Sequence, residues 1–550
     1  MIICLSVQFS DAVTTDEEGR ERRHKYTEHS QISQTCSNTR RLLPLVPNHA
    51  SYSVQPTMKV LSVLAATAAV ASAAFTDDDY RSGRVHEFSM SMKENTWRKH
   101  RDAGEHDHRG NRKYPSFGGR KNAVKCKHGK AVVEHGNPNQ TFACDNVDFY
   151  DFKSHADLES WAGEGNDAWG WVSPDGREFA ALGQADGTAF MEITKHGKLV
   201  YLGRLPQQSV TSIWRDMKGY KNYMLIGSEA VGAGVQIFDM TKLLDIDPRH
   251  PKNFSTTSDL TGYFDGLPVG RSHNLVMHEE KDYAVAVGAQ PRTDDCASGL
   301  IFIDLKDPSN PTSPGCAAQD GYSHDAQCVV YKGPDSRYDG HDICYSFNED
   351  TFSIYDVSDR ASGVNTSTLL SRTPYKEVAY SHQGWLLDEN WQEFLFSDDE
   401  LDELDGVEPA ADGRSVMYIW DISDLTAPKN TGYYKSEVAS IDHNLYVHDG
   451  LAYHSNYGSG LRIRDVSGVP EDPTGGNIKE VAFFDVYPED DENPEVEFVG
   501  TWSNYLFPSG YVFVSHIERG AFLLKVQPHV KAKGGKGGKG GKGGKGKGGW

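Results

Sequence analysis

Four histidines recur at intervals too long for any single helix or strand. His273, His324, His382 and His443 are separated by 51, 58 and 61 residues and stand in Ser272-His-Asn274, Ser323-His-Asp325, Ser381-His-Gln383 and Asp442-His-Asn444. Three related stretches carry tryptophan instead: Asp167-Ala-Trp169-Gly-Trp171, Ser212-Ile-Trp214-Arg-Asp216 and Thr501-Trp502-Ser-Asn504. Imidazole can ligate a metal, carry a proton or hold a turn through hydrogen bonds. A second recurring set is acidic: Glu229, Glu349, and Asp399 with Glu400 inside Asp398-Asp-Glu-Leu-Asp-Glu403. Carboxylate oxygens suit calcium or magnesium, whereas imidazole suits zinc. The metal candidates are therefore His273, His324, His382, His443, Glu229, Glu349, Asp399 and Glu400. The recognition candidates are the four histidines with Trp169, Trp214 and Trp502. Against these stand plainer roles: histidines that hold turns, acids that cap them, and tryptophans that pack.

Those residues need a repeated scaffold, and one is visible from about residue 145 to 528. A strand pattern of glycine or a small residue, alternating apolar positions and a terminal aspartate recurs at Thr188–Ile193, Gly234–Asp239, Gly299–Asp304, Thr351–Asp356, Val416–Asp421, Gly460–Asp465 and Gly520–Lys525, the last ending in lysine. Other short strands precede these, such as Tyr223–Ile226, Tyr283–Val287 and Tyr511–Ser515, and turn residues follow many of them. The repeat is roughly 55 residues, the size of a four-stranded propeller blade with its loops. The expected fold is all-β: a β-propeller of about seven blades of four antiparallel strands, with disordered N-terminal and C-terminal segments. A β-sandwich pair and a β-solenoid are the alternatives. Blade-spaced histidines in such a ring would form an arc around one mouth of the channel.

The ends suggest export. Met58 to Ala73 has a lysine, a short apolar run and a small-residue end at Ala71-Ser72-Ala73, the pattern of a secretory signal peptide. Residues 1–57 are read as a doubtful leader and 58–73 as the signal peptide. Residues 74–123 are read as polar and largely disordered, 124–528 as the propeller and 529–550 as a flexible Gly/Lys-rich tail. Outside the leader, which holds Cys4 and Cys36, six cysteines remain, and nearest-neighbour pairing gives Cys126–Cys144, Cys296–Cys316 and Cys328–Cys344. Asn139, Asn253 and Asn365 head N-x-[ST] sequons and are candidate glycan sites.

Composition narrows the function. With 78 acidic against 56 basic residues and a net charge of −22, the chain lacks the basic surface of a general nucleic-acid binder. The apolar run is too short for a comfortable transmembrane span. No Gly-x-Ser-x-Gly elbow, P-loop or dinucleotide fingerprint occurs in a strand–helix context, so no catalytic residue is assigned. The tail from Lys531 carries seven lysines and no acid, which suits an anionic wall polymer or simple solubility. The leading reading is a secreted or cell-surface scaffold that binds an extracellular carbohydrate or protein. The alternative is a metal-dependent extracellular hydrolase or lyase working in the same mouth.

Ordered blocks across about 124–527 carry a family resemblance. They include Asn166-Asp-Ala-Trp-Gly-Trp171, Trp214-Arg-Asp-Met-Lys218, Gly321-Tyr-Ser-His-Asp-Ala-Gln-Cys328, Asn348-Glu-Asp-Thr351, Ser381-His-Gln-Gly-Trp385, Asp398-Asp-Glu-Leu-Asp-Glu403, Asp442-His-Asn-Leu-Tyr446 and Trp502-Ser-Asn-Tyr505. The chain resembles the choice-of-anchor B proteins, which carry LVIVD-type propeller repeats. The resemblance implies a secreted or surface-displayed propeller and supplies no reaction or catalytic residues. Members of that family differ in how the C-terminus attaches to the cell; here only the Gly-Lys tail offers attachment.

Overall fold

The recurring apolar strand explains the architecture. In the computed structural model, which describes residues 75–117, 123–360 and 363–533, all seven copies are strands: Gly187–Ile193, Val235–Asp239, Leu300–Asp304, Phe352–Asp356, Arg414–Asp421, Gly460–Asp465 and Gly520–Val526. Nearly every position along them is buried. A strand buried on both faces must lie within a sheet that is itself covered on both faces. The aspartates have a local role: Asp239, Asp304, Asp356, Asp421 and Asp465 each accept a hydrogen bond at 2.9–3.2 Å from the amide two residues on. Each closes an Asx-turn that ends its strand.

Seven sheets form, one per repeat, in a seven-bladed β-propeller. The innermost strands of blades I to VII are Gly165–Val172, Arg215–Tyr220, Asn274–His278, Asp325–Val330, Ser381–Leu386, Leu445–His448 and Thr501–Leu506. The four strands that build each blade are antiparallel. Short parallel additions, Lys252–Asn253 and Gly363–Val364, extend blades I and III.

Polar side chains tie six of the seven innermost strands to the next blade. Asp167 accepts from Met217 N at 3.0 Å, Asp216 from Leu275 N at 2.7 Å, Gln327 from Leu386 N at 2.9 Å and Gln383 from Leu445 N at 3.0 Å. Asn274 and Asn444 donate to the His324 and Trp502 carbonyls, both at 3.2 Å. Blades VII and I are in contact through their innermost strands, which closes the ring. The outer strand of blade VII, Val147–Ser154, comes from the other end of the chain and pairs antiparallel with Gly520–Val526.

The three disulfides are those given by nearest-neighbour pairing. Cys328 and Cys344 face each other across adjacent strands of blade IV. The sequon residues Asn139, Asn253 and Asn365 are exposed. The segments read as leader and signal peptide, and the tail beyond residue 533, lie outside the described residues.

One expectation is corrected. Much of the stretch 74–123, read as largely disordered, is helical. Helix α1 spans Asp77–Ser82, with a capping box between Thr76 and Asp79. Helix α2 spans Arg84–Asp102. They meet at Gly83 (φ +83°), where a Cβ would lie 2.8 Å from Arg292 Nε; the left-handed turn and the close approach both favour glycine. Val85, His86, Ser89, Lys93 and Trp97 are buried, a stripe at helical spacing.

Closure rests on apolar packing at the seam. Phe152 is fully buried, with ring centroids 4.6 Å from both Phe522 and Phe117. Phe152→Ala is expected to lower unfolding free energy by about 3–5 kcal/mol, measured by denaturant unfolding; a loss under about 1 kcal/mol would contradict the role given to this seam.

Candidate functional site

The innermost strands run in one direction around the ring, so the residues at their beginnings gather at one end of the channel. His273, His324, His382 and His443 come together there. Successive ring centroids are 4.2, 4.4 and 4.5 Å apart, and His443 lies 5.2 Å from Trp502. Trp97 of α2 spans the gap from Trp502 (5.9 Å) to Trp214 (5.5 Å). Trp169 does not join them. It lies farther along its strand, against Tyr446 and Tyr505 near the other end of the channel. The simple alignment of Trp169 with Trp214 is therefore out of register.

This end is not the open recognition surface expected from the sequence, because α2 lies across it. His86 Nδ1 and Tyr380 Oη are 2.8 Å apart, and Trp97 donates to the Phe498 carbonyl at 2.8 Å. Lys93 Nζ donates to Glu400 Oε2 at 2.6 Å; Lys93 is 2% exposed and Glu400 fully buried. Arg292 adds a two-pronged ion pair to Glu349, at 2.6 and 2.9 Å, and donates to the Tyr80 carbonyl of α1. The four ring histidines are all buried as a result.

Each ring histidine is held from behind through Nδ1. His324 bonds the His382 carbonyl at 2.9 Å, His443 the Trp502 carbonyl at 2.6 Å, His382 the Asp398 carboxylate at 2.9 Å, and His273 the Glu229 carboxylate. A ring nitrogen facing a carbonyl must be the protonated one, which leaves Nε2 as the acceptor in a neutral ring. Burial, with neighbouring imidazoles and Lys93, holds His324 and His382 well below the usual histidine range. His443 is pushed down to about 4, chiefly by burial against the pull of Glu400. Burial would raise Glu400, but Lys93 and His443 bring it below the usual glutamate range.

The acidic candidates divide. Glu229 is held near 2: burial opposes ionisation, but His273 and Arg271 outweigh it. Burial raises Glu349 despite Arg292. Asp399 turns away from the ring to accept from Ala379 N and Tyr380 N, and burial lifts it to about 6. Of the eight metal candidates, His324, His382 and Glu400 bring ligand atoms within 4.8 Å of one another. Sequence reading missed His86, Lys93 and Trp97, although the 3-4-4 spacing of His86, Ser89, Lys93 and Trp97 was there to be read. Asp402, Glu403 and Asp442, which stand in the acidic and blade-entry blocks read from the sequence, are buried, and burial and mutual repulsion push them well above the usual range.

The strands' far ends surround a cavity of about 1040 Å³. Trp169, Trp385, Tyr446 and Tyr505 line it, with Glu280 and Glu389 among the acids on the following hairpins. Trp385 and Trp169 approach Tyr446 edge-on at 5.1 and 5.6 Å, and Lys218 lies 4.9 Å from the centre of the Trp169 ring. Trp171 packs on Phe179 and donates to the Lys221 carbonyl of the next blade, a packing role.

No family model matches the chain, and no curated protein matches it. Among solved structures it is similar to the computationally designed Ika8 protein at 12% identity, over 75% of this chain and 98% of that one, with a TM-score of 0.39. It is also similar to the β-propeller domain of Cps50 (Swd1) from Myceliophteria thermophila, at 12% identity over 63% and 93% of the two chains, TM-score 0.38. A third is the WD40 β-propeller domain of Doa1, at 9% identity over 67% and 95%, TM-score 0.41. The assignment of the fold rests on this chain's own strand pairing.

The docking of α2 should depend on pH. His86 faces Glu229, Glu349, His273, Arg292, Tyr322 and Tyr380 from the propeller and Lys93 from its own helix. Burial holds it down to about 3 in the docked state, against about 6.5 when free. A depressed histidine pKa means that the undocked form binds the extra proton, so its contribution is complete above about pH 6.5 and lost as pH falls toward 3. Amide exchange in residues 84–102, corrected for intrinsic rate, is expected to be on the order of tenfold faster at pH 5 than at pH 7.5. Equal protection at both values would contradict the assignment.

Proposed function

We propose that this is an exported β-propeller serving as a binding scaffold, and that its ligand enters the open end of the channel. The observation that carries this reading is the asymmetry of the two ends. The histidine end is covered by α2, whereas the far end holds a large cavity walled by Trp169, Trp385, Tyr446 and Tyr505 and edged by carboxylates. Aromatic faces beside hydrogen-bond acceptors suit the apolar ring faces and hydroxyl groups of a carbohydrate.

Export is supported by the signal-like segment and by three disulfides, which persist in oxidising compartments. No helix among the described residues is long and apolar enough to cross a membrane. Exposed Asn139, Asn253 and Asn365 are compatible with glycosylation. The choice-of-anchor B relationship belongs to this proposal and rests on the ordered sequence blocks. In the same reading the lysine tail attaches the chain to an anionic wall polymer.

The test is a glycan screen of the secreted chain followed by calorimetry on the best binder. Trp385→Ala is expected to weaken binding at least about tenfold, the equivalent of roughly 1.4 kcal/mol, with an unchanged melting midpoint. Undiminished affinity in Trp385→Ala and Tyr446→Ala together would reject the open end as the binding site.

A further inference from the structure

Under α2 lies a donor set that ligand binding at the other end does not use. His324, His382 and Glu400 are all buried, and their ligand atoms lie within 4.8 Å of one another. His443 Nε2 is a further 3.5 Å from Glu400 Oε1. The Nδ1 atoms are engaged by a carbonyl in His324 and His443 and by a carboxylate in His382. This backing fixes the ring orientation and tautomer and aims Nε2 at the centre, as it does for metal-bound histidines. Asp398 is itself held behind His382, since the same oxygen accepts from Gln383 N at 2.9 Å. Two imidazoles and a carboxylate, with a third imidazole adjacent, form a zinc-type set.

The cation now at this centre is the Lys93 ammonium, 2.6 Å from Glu400. It arrives on a helix that precedes the propeller in the chain and reaches the ring only by lying across the mouth. We propose that Lys93 holds the place of a divalent metal, and that its withdrawal opens a zinc site formed by His324, His382 and Glu400, with His443 as the adjoining fourth donor. The ammonium leaves as the metal enters, so the carboxylate keeps a cationic partner throughout. Both cations need the same carboxylate, so zinc binding and docking of Lys93 oppose each other, each weakening the other by the same factor. This site is independent of the cavity at the far end and stands or falls separately from the carbohydrate reading.

The test uses the full chain carrying Lys93→Ala, stripped with chelator and titrated with zinc, with cobalt absorption as a second readout. The expected result is one zinc per chain, bound at least about tenfold more tightly than by the wild type. Zinc should also raise the melting midpoint of Lys93→Ala and leave that of the wild type nearly unchanged. Adding His324→Ala or His382→Ala should abolish both effects. If Lys93→Ala folds only with zinc present, that rescue supports the site, and Lys93→Gln, which keeps the side-chain stem, serves for the titration. A folded Lys93→Ala or Lys93→Gln chain with wild-type zinc affinity would overturn the proposal. So would zinc uptake that survives the loss of His382.

Discussion

The structure depends on side chains that reach from one innermost strand to the backbone of the next. Asp167, Asp216, Gln327 and Gln383 each accept from an amide in the following blade, and Asn274 and Asn444 donate to carbonyls there. All but the half-buried Asn274 are buried, so each satisfies a backbone donor or acceptor that would otherwise be left without a partner. They also set the rotation of each blade against the next. His324 and His443 take part in the same stitching, since the carbonyls they bond belong to the neighbouring blade. The turn-holding role of these histidines and their convergence at the mouth are thus one arrangement: the bond that ties the blades also aims the ring.

That arrangement creates an electrostatic demand. Drawing blade-entry histidines and blade-end carboxylates to one axis places Glu400 and Glu229 in the interior. A buried charge stripped of its partner costs on the order of 3–5 kcal/mol. Glu229 is answered by His273 and Arg271 from within the ring. Glu400 is answered by Lys93, delivered from outside the propeller by α2. The helix therefore completes the charge balance of the mouth as well as covering it, and this explains why so polar a segment docks there.

The repeat was the most legible part of the sequence. Alternating apolar residues ending in aspartate marked the strand at the heart of each blade, because burial on both faces and an Asx-turn are local demands that local sequence can satisfy. The cysteine pairs could be read for a related reason: short separations kept each partner within a blade or next to one. His273, His324, His382 and His443 were brought to one place by spacing alone, since one repeat is one blade. Helix α2 was not legible in the same way. Its buried face contains His86, Ser89 and Lys93, and the partners of His86 and Lys93, Tyr380 and Glu400, lie about 300 residues away in the chain. Hydropathy scores such a face as solvent-exposed. Trp169 was misplaced because the first strand begins earlier relative to its signature than the others do, at Gly165. Asp399 was misjudged because its neighbour Glu400 takes the inward direction while it caps backbone amides.

The account turns on α2 lying across the histidine ring with Lys93 inside. Lys93 and Lys99 sit on the same helix, the first buried and the second exposed. Amine acylation of the native chain, mapped by mass spectrometry over time, compares them directly. Lys99 should react at the rate of a free lysine, and Lys93 at least about tenfold more slowly until the protein is denatured. Equal rates for the two in the native chain would show that the helix does not occupy the mouth.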